Sequence, residues 1–178
     1  MKKFLNIVIV IIAFTISSCE KDDICANTTP TTPRLVINFY DRENPDLQKN
    51  VSNLTAKAVG EAKPIIFNTA TSATEITKYY ATGNTISLPL RLNADETVYE
   101  LTQNAGEPTL TNTDTIVINY TKREIYVSRA CGYKTNFRLD SENPIQRPIN
   151  DTSEWINNLI VLTTNIENEN ETHVSIYF

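Results

Sequence analysis

Apolar and polar residues alternate in short runs along most of this chain, and only Phe4–Ile16 breaks the pattern with a nearly unbroken apolar stretch. Arg34–Tyr40 places Leu35, Ile37 and Phe39 on one face of an extended segment and ends in the turn-rich Asp41–Asp46, which predicts a strand. Leu47, Val51, Leu54 and Ala58 have helical spacing while Leu54–Val59 also alternates, so one helical turn followed by a strand is expected. Pro64–Asn68 is a short apolar run. Thr85–Leu92 turns Ile86, Leu88, Leu90 and Leu92 to one side, with Pro89 confining it to an edge or a bulge. Thr97–Thr102 follows as a strand, then a polar loop from Gln103 to Asp114. The clearest hairpin joins Thr115–Tyr120 to Glu124–Ser128, both β-branched and aromatic, through a tight Thr121-Lys122-Arg123 connection. Cys131–Leu139 adds a strand, Asp140–Ser153 with Pro144 and Pro148 reads as a long loop, and Trp155–Leu162 and Thr172–Phe178 form a closing pair around the acidic loop Asn165–Glu171.

Roughly eight or nine short strands with regular turn signals predict an all-β fold, an antiparallel β-sandwich immunoglobulin-like in layout, with a small up-and-down β-barrel as the alternative. Only the architecture of the immunoglobulin fold carries over. Position 129, two before Cys131, is Arg rather than Tyr, and the single Trp155 follows the cysteines instead of lying between them. The final Tyr177-Phe178 is similar to the C-terminal aromatic of outer-membrane barrels, but membrane strands need about 9 to 11 residues and most segments here are shorter.

The apolar stretch gives an address. Lys2 and Lys3 precede it, and it is shorter than the ~20 residues of a spanning helix but fits a secretory signal. It ends at Ile16-Ser17-Ser18-Cys19, which resembles the lipobox of bacterial lipoproteins. The resemblance implies that residues 1–18 are removed and that Cys19 takes the acyl chains, each buried methylene adding about 0.8 kcal/mol of membrane affinity. Glu20-Lys21-Asp22-Asp23 follows, and Lys21, Asp22 and Asp23 resemble the surface-export signal of Bacteroidota lipoproteins. The expected location is therefore the outer membrane, anchored by lipid and facing the cell surface, with the periplasmic face as the alternative. Residues 19–33, ending in the Thr/Pro-rich Ala26–Pro33, form the tether, and residues 34–178 the sandwich domain.

Removing residues 1–18 takes away two lysines and leaves 160 residues, with 14 Lys and Arg against 21 Asp and Glu, a formal charge of −7. This suffices for one domain with its own core. The acidic balance argues against nucleic acid, because the densest basic stretches, Lys122-Arg123 and Arg129 to Arg138, read as solvent-facing strand positions. With Cys19 acylated, Cys25 and Cys131 are an even pair in an oxidising compartment, and a disulfide between them is expected. It would hold the domain close to its lipid.

Cys25, Thr31-Thr32-Pro33-Arg34, Phe39-Tyr40-Asp41, Arg129–Tyr133 and Asn170–Val174 together resemble an uncharacterised Bacteroidota lipoprotein family, a domain of unknown function. The resemblance supports export and the Cys25–Cys131 pairing, and it brings no catalytic residues.

The chemical inventory is thin. His173, the single histidine, alternates within a strand and reads as structural or exposed. One His and two paired cysteines cannot make a zinc site, and the four glycines form no phosphate cradle, so neither metal nor other cofactor is expected. Asp41, Asn44 and Asp46, and the run Glu167–Glu171, lack the spacing of a known calcium loop. Tyr79-Tyr80, Tyr126 and Tyr133 could form a platform for carbohydrate or peptide, although core filling is the expectation for aromatics in a β protein. These observations point to a non-enzymatic binding or accessory module at the cell surface, with the membrane reached through the N-terminal lipid and a protein, peptide or glycan partner. The alternative is a small carboxylate-based hydrolase of surface glycans using Asp95, Glu96, Glu100 or Asp114.

Asp114-Thr115-Ile116 resembles the O-glycosylation motif of the same bacterial group and marks Thr115 for modification. The intact mass of the mature native protein is expected to exceed that of polypeptide plus lipid by the sugar; a mass without that excess would remove the assignment.

Overall fold

The structure is a computed structural model, and it describes residues 24–70, 72–148 and 153–178. The expected signal peptide, the expected lipidation site Cys19 and the expected export signal Lys21-Asp22-Asp23 lie outside the described residues. Ten strands are described: β1 Leu35–Tyr40, β2 Thr55–Ala58, β3 Thr85–Leu88, β4 Glu96–Gln103, β5 Asn112–Ser128, β6 Gly132–Leu139, β7 Ile145–Gln146, β8 Asn158–Val161, β9 Asn165–Ile166 and β10 Val174–Tyr177. Among the described residues one 3-10 turn, Thr77–Tyr79, lies between β2 and β3.

The chain divides into two units. The larger, Pro30–Ile125 with Lys134–Phe178, carries two sheets. One is four-stranded, in the order β3-β1-β10-β8; the other runs β2-β4-β5-β6-β9, with β7 also paired to β5. The expected β-sandwich is therefore present, and the barrel alternative falls because neither sheet closes. Pairing is antiparallel except where β1 runs parallel to β10, with Ile37 opposite Val174 and Phe39 opposite Ile176.

Period-two alternation decides which residues face inward. Leu35, Ile37 and Phe39 of β1, Ile86 and Leu88 of β3, and Val174 and Ile176 of β10 meet Tyr99 and Leu101 of β4, Ile116, Ile118 and Tyr120 of β5, and Phe137 and Leu139 of β6 in one buried cluster. Trp155 and Ile156, just before β8, extend that core. Trp155 packs its ring against Phe39 and Phe178 at centroid distances of 6.3 and 5.6 Å and donates Nε1–H to the Leu101 carbonyl at 3.1 Å. Buried Asp114 accepts the Ile156 amide at 2.8 Å. The indole N–H is thus satisfied inside the core, as a buried donor requires.

Three sequence expectations are corrected. Thr121-Lys122-Arg123 is no turn: β5 runs straight through it for 17 residues. None of those residues readily adopts the positive φ of a two-residue hairpin turn, and the Lys122 stem folds back so that Nζ reaches the Ala94 carbonyl at 2.7 Å. The reversal lies instead between Ser128 and Gly132, where Gly132 has φ +69° and the Cys131 amide bonds Ser128 Oγ at 3.0 Å. The helical turn expected around Leu47–Leu54 is also absent; that stretch is tied down as extended chain by a bridge between Tyr40 and Gln48 and by Val51 N–H to the Gly83 carbonyl. β3 stops at Leu88 because Pro89 cannot donate to a ladder, and beyond it Leu92 is exposed rather than inward.

The smaller unit, among the described residues, joins residues 24–29 with Tyr126–Tyr133. Cys25 and Cys131 are bonded there, with Cα atoms 4.9 Å apart and a sequence separation of 106. Unlike the inter-sheet bridge of an immunoglobulin domain, this bond joins an exposed N-terminal segment to a hairpin turn. A loop of that length corresponds to about 4 to 5 kcal/mol of lost unfolded-state entropy.

Truncating Ile37 to Ala is expected to cost about 2 to 5 kcal/mol, because it empties part of the centre between the sheets. Ile160→Ala, on a half-exposed side of β8, is expected to cost under about 0.5 kcal/mol. Urea unfolding midpoints of the two variants measure the difference, and equal losses would contradict this placement of the core.

Candidate functional site

An open groove of about 710 Å³ lies in the larger unit. One wall is β3, an edge strand whose neighbour β1 holds it through Leu35–Leu88 and Ile37–Ile86 pairing. The opposite wall is Ile65–Asn68. It forms no strand, yet it is extended because Ile65 N–H bonds the Ala56 carbonyl and Phe67 and Asn68 N–H both reach the Lys78 carbonyl. The floor comes from Tyr80–Gly83, fixed by reciprocal Leu54 and Ala81 backbone bonds of 2.9 Å each.

The lining mixes apolar surface with uncharged hydrogen-bonding groups. Phe67 packs against the core while Ile66 stands 54% exposed at the rim, and Asn68, Thr77, Thr85 and Ser87 supply amides and hydroxyls. Tyr80 is half-buried, with its hydroxyl close to Gly106; a Cβ there would lie 2.8 Å from the hydroxyl, and the φ of +91° already favours glycine. Arg34 is the sole charged residue in the lining, and it is engaged: Nε and one terminal nitrogen grip the Glu169 carboxylate at 2.7 to 3.0 Å, and its own backbone N–H adds a bond of 3.1 Å. That grip holds the Glu169 carboxyl below its ordinary pKa.

No carboxylate lines this groove. The acids singled out from sequence are dispersed. Asp95 pairs with Lys122 at 2.9 Å, Asp114 is buried on the Ile156 amide, and Glu96 and Glu100 alternate onto the outer face of β4, so Glu100 and Asp114 lie on opposite sides of the sheet. Asp41 caps its own turn by accepting the Glu43 and Asn44 amides and pairs with Lys49 at 3.2 Å. Glu169 is committed to Arg34, and no group of three potential metal ligands occurs among the described residues.

The remaining sequence candidates have mixed fates. Thr115 sits inside β5, opposite Glu100, not at the loop end expected for it, because the strand begins at Asn112. The tyrosines expected to fill the core do not: Tyr99 and Tyr120 are the buried ones, with hydroxyls on the Pro89 and Arg91 carbonyls, whereas Tyr80 reaches the groove and Tyr126 and Tyr133 are exposed. The groove itself escaped the sequence, since Ile65–Asn68 carries no alternation and its wall depends on a carbonyl ten or more positions away. No helix among the described residues is long and apolar enough to cross a membrane.

His173 proves structural. It is fully buried, its N–H bonds the Val36 carbonyl at 3.0 Å and its Nδ1 accepts the Val36 N–H at 2.9 Å, so the ring proton sits on Nε2, which is near the Asn168 carbonyl but makes no well-formed hydrogen bond. Burial, the largest influence, holds its pKa below the ordinary 6.5, while the Glu171 and Glu169 carboxylates and the Asn168 carbonyl pull the other way.

A family model described as a family of unknown function (DUF6452) matches residues 53–178, which include Arg129–Tyr133 and Asn170–Val174 but not Cys25, and the chain belongs to that family. No curated protein and no solved structure matches it.

Because the folded chain refuses the proton on His173, stability is fully present above about pH 6.5 and is lost as pH falls toward the lowered folded-state pKa. Urea midpoints between pH 8 and 5 are expected to drop for the wild type and to stay flat for His173→Gln. A wild-type profile as flat as that of the variant would contradict the assignment.

Proposed function

We propose that this member of the family is a lipid-anchored outer-membrane lipoprotein that faces the cell surface and binds an uncharged segment of peptide or glycan, without catalysis. The observation that carries the reading is the groove: an open cleft with an edge strand along one side, an aromatic and aliphatic wall, several neutral hydrogen-bonding side chains, and Arg34, gripped by Glu169, as the one charged residue of its lining. An extended polymer suits it, because apolar rings can meet the flat face of a sugar or an apolar side chain while Asn68, Thr77 and Ser87 meet polar groups. The lipobox ending at Cys19 and the Lys21-Asp22-Asp23 run support the anchor and the destination. The acids named for the hydrolase alternative do not line this groove: Asp95 pairs with Lys122, Asp114 is buried on the Ile156 amide, and Glu96 and Glu100 lie on the outer face of β4.

Full-length protein extracted in mild detergent is expected to retain a ligand on glycan or peptide arrays. Ile66→Asp, at the exposed rim, should weaken binding about tenfold, or ~1.4 kcal/mol, without moving the thermal midpoint. Retention identical to wild type would take the groove out of consideration. Replacing Lys21, Asp22 and Asp23 by Ala should protect the protein from protease added to intact cells, and unchanged cleavage would refute the export signal.

A further inference from the structure

The smaller unit has a chemistry of its own. At the end of the hairpin formed by β5 and β6, Tyr126 and Tyr133 pack edge to face with ring centroids 5.4 Å apart, yet the two residues are 59% and 68% exposed. Two adjacent phenol rings in water leave much apolar surface unburied. Ile24, beside the bonded Cys25, is 85% exposed. The turn between the tyrosines is locked by the Cys25–Cys131 bond, by Ser128 Oγ on the Cys131 amide, and by Thr29 Oγ1, 3.6 Å from the Cys131 sulfur.

We propose that this hairpin tip rests in the headgroup layer of the membrane that holds the lipid, with Tyr126 and Tyr133 as its contacts and Ile24 beside them. The inference rests on the lipid-anchored reading. From Cys19 to Cys25 there are six peptide steps, which span at most about 22 Å when fully extended. The disulfide transfers that limit to the hairpin turn, although Cys131 is far away in sequence. The tip therefore cannot leave the vicinity of the bilayer, and this confinement makes the membrane its nearest partner at a high effective concentration. Tyrosine is suited to that layer, with a ring for the acyl boundary and a hydroxyl for water and headgroups. The mature chain carries a formal −7, so its net charge gives no attraction to anionic headgroups, and the contact falls to the two tyrosine rings and to Arg129, the exposed cation of the turn between them.

The test uses full-length protein reconstituted in phosphatidylcholine vesicles whose lipids carry bromine at the top of the acyl chain. Wild type, with its single buried Trp155, gives the baseline. Tyr126→Trp and Tyr133→Trp each add an indole at the tip, and because both positions are exposed the second serves if the first fails to fold. About half of the added emission is expected to be quenched by brominated lipid, with a shift to shorter wavelength relative to detergent. Mass spectrometry of the same sample reads the state of Cys19. An acylated Cys19 with unquenched, water-like emission overturns the resting tip and leaves the anchor standing; cross-linking of two tips in that sample would assign the patch to a second copy. A Cys19 without acyl chains removes the anchor, and the proposal falls with it.

Discussion

The parallel pairing of β1 with β10 holds the molecule together. It brings the first strand beside the last in the middle of the four-stranded sheet, so that β3 and β8 have inner neighbours only because this pair exists. Parallel strands begin their ladder awkwardly, since the hydrogen bonds are slanted and the entry residues lack partners. His173 supplies the missing one. Its backbone N–H reaches the Val36 carbonyl and its ring nitrogen takes the Val36 N–H, so one residue closes both backbone valences of its partner across 137 positions. Its burial follows from this position, as does the lowered pKa. The sole histidine thus joins the first strand to the last.

A pairing between the chain's extremes is entropically expensive and slow to form, so other contacts must support it. Trp155, just before β8, and Asp114, on the opposite sheet, do so. The indole spans the distance from Leu101 on β4 to Phe39 on β1, and the Asp114 carboxylate receives the amide of the next residue, Ile156. The segment leading into β8 is thereby fastened to both layers. A buried carboxylate used in this way cannot double as a catalytic acid without giving up that amide, which would cost the desolvation of both groups. The groove inherits its geometry from the same frame: β3 is placed by β1, and the facing wall is placed by β2 and by the Lys78 carbonyl.

Legibility in the sequence followed the range of the forces involved. Strand existence was readable wherever alternation ran for five or more residues, as in β1, β4 and β6, because burial of one face enforces period two locally. Thr121-Lys122-Arg123 misled because charge was taken as a mark of a turn. Lysine and arginine stems lie comfortably along a sheet, and a tight reversal needs residues that tolerate positive φ, as Gly132 does. The short strands β7 and β9, two residues each, carry no pattern of their own and exist only as partners of β5 and β6.

By itself the sequence determined the all-β class, the alternating core positions of the long strands, the even pair of cysteines and the resemblance to an exported lipoprotein, because all of these are written in local composition and spacing. Tertiary structure alone decided that the first and last strands run parallel, that Asp114, Glu169 and His173 are consumed by structural bonds, and that uncharged side chains from three separate segments converge on one groove. Convergence depends on contacts between residues tens of positions apart, and no local pattern records which distant carbonyl a given amide will find.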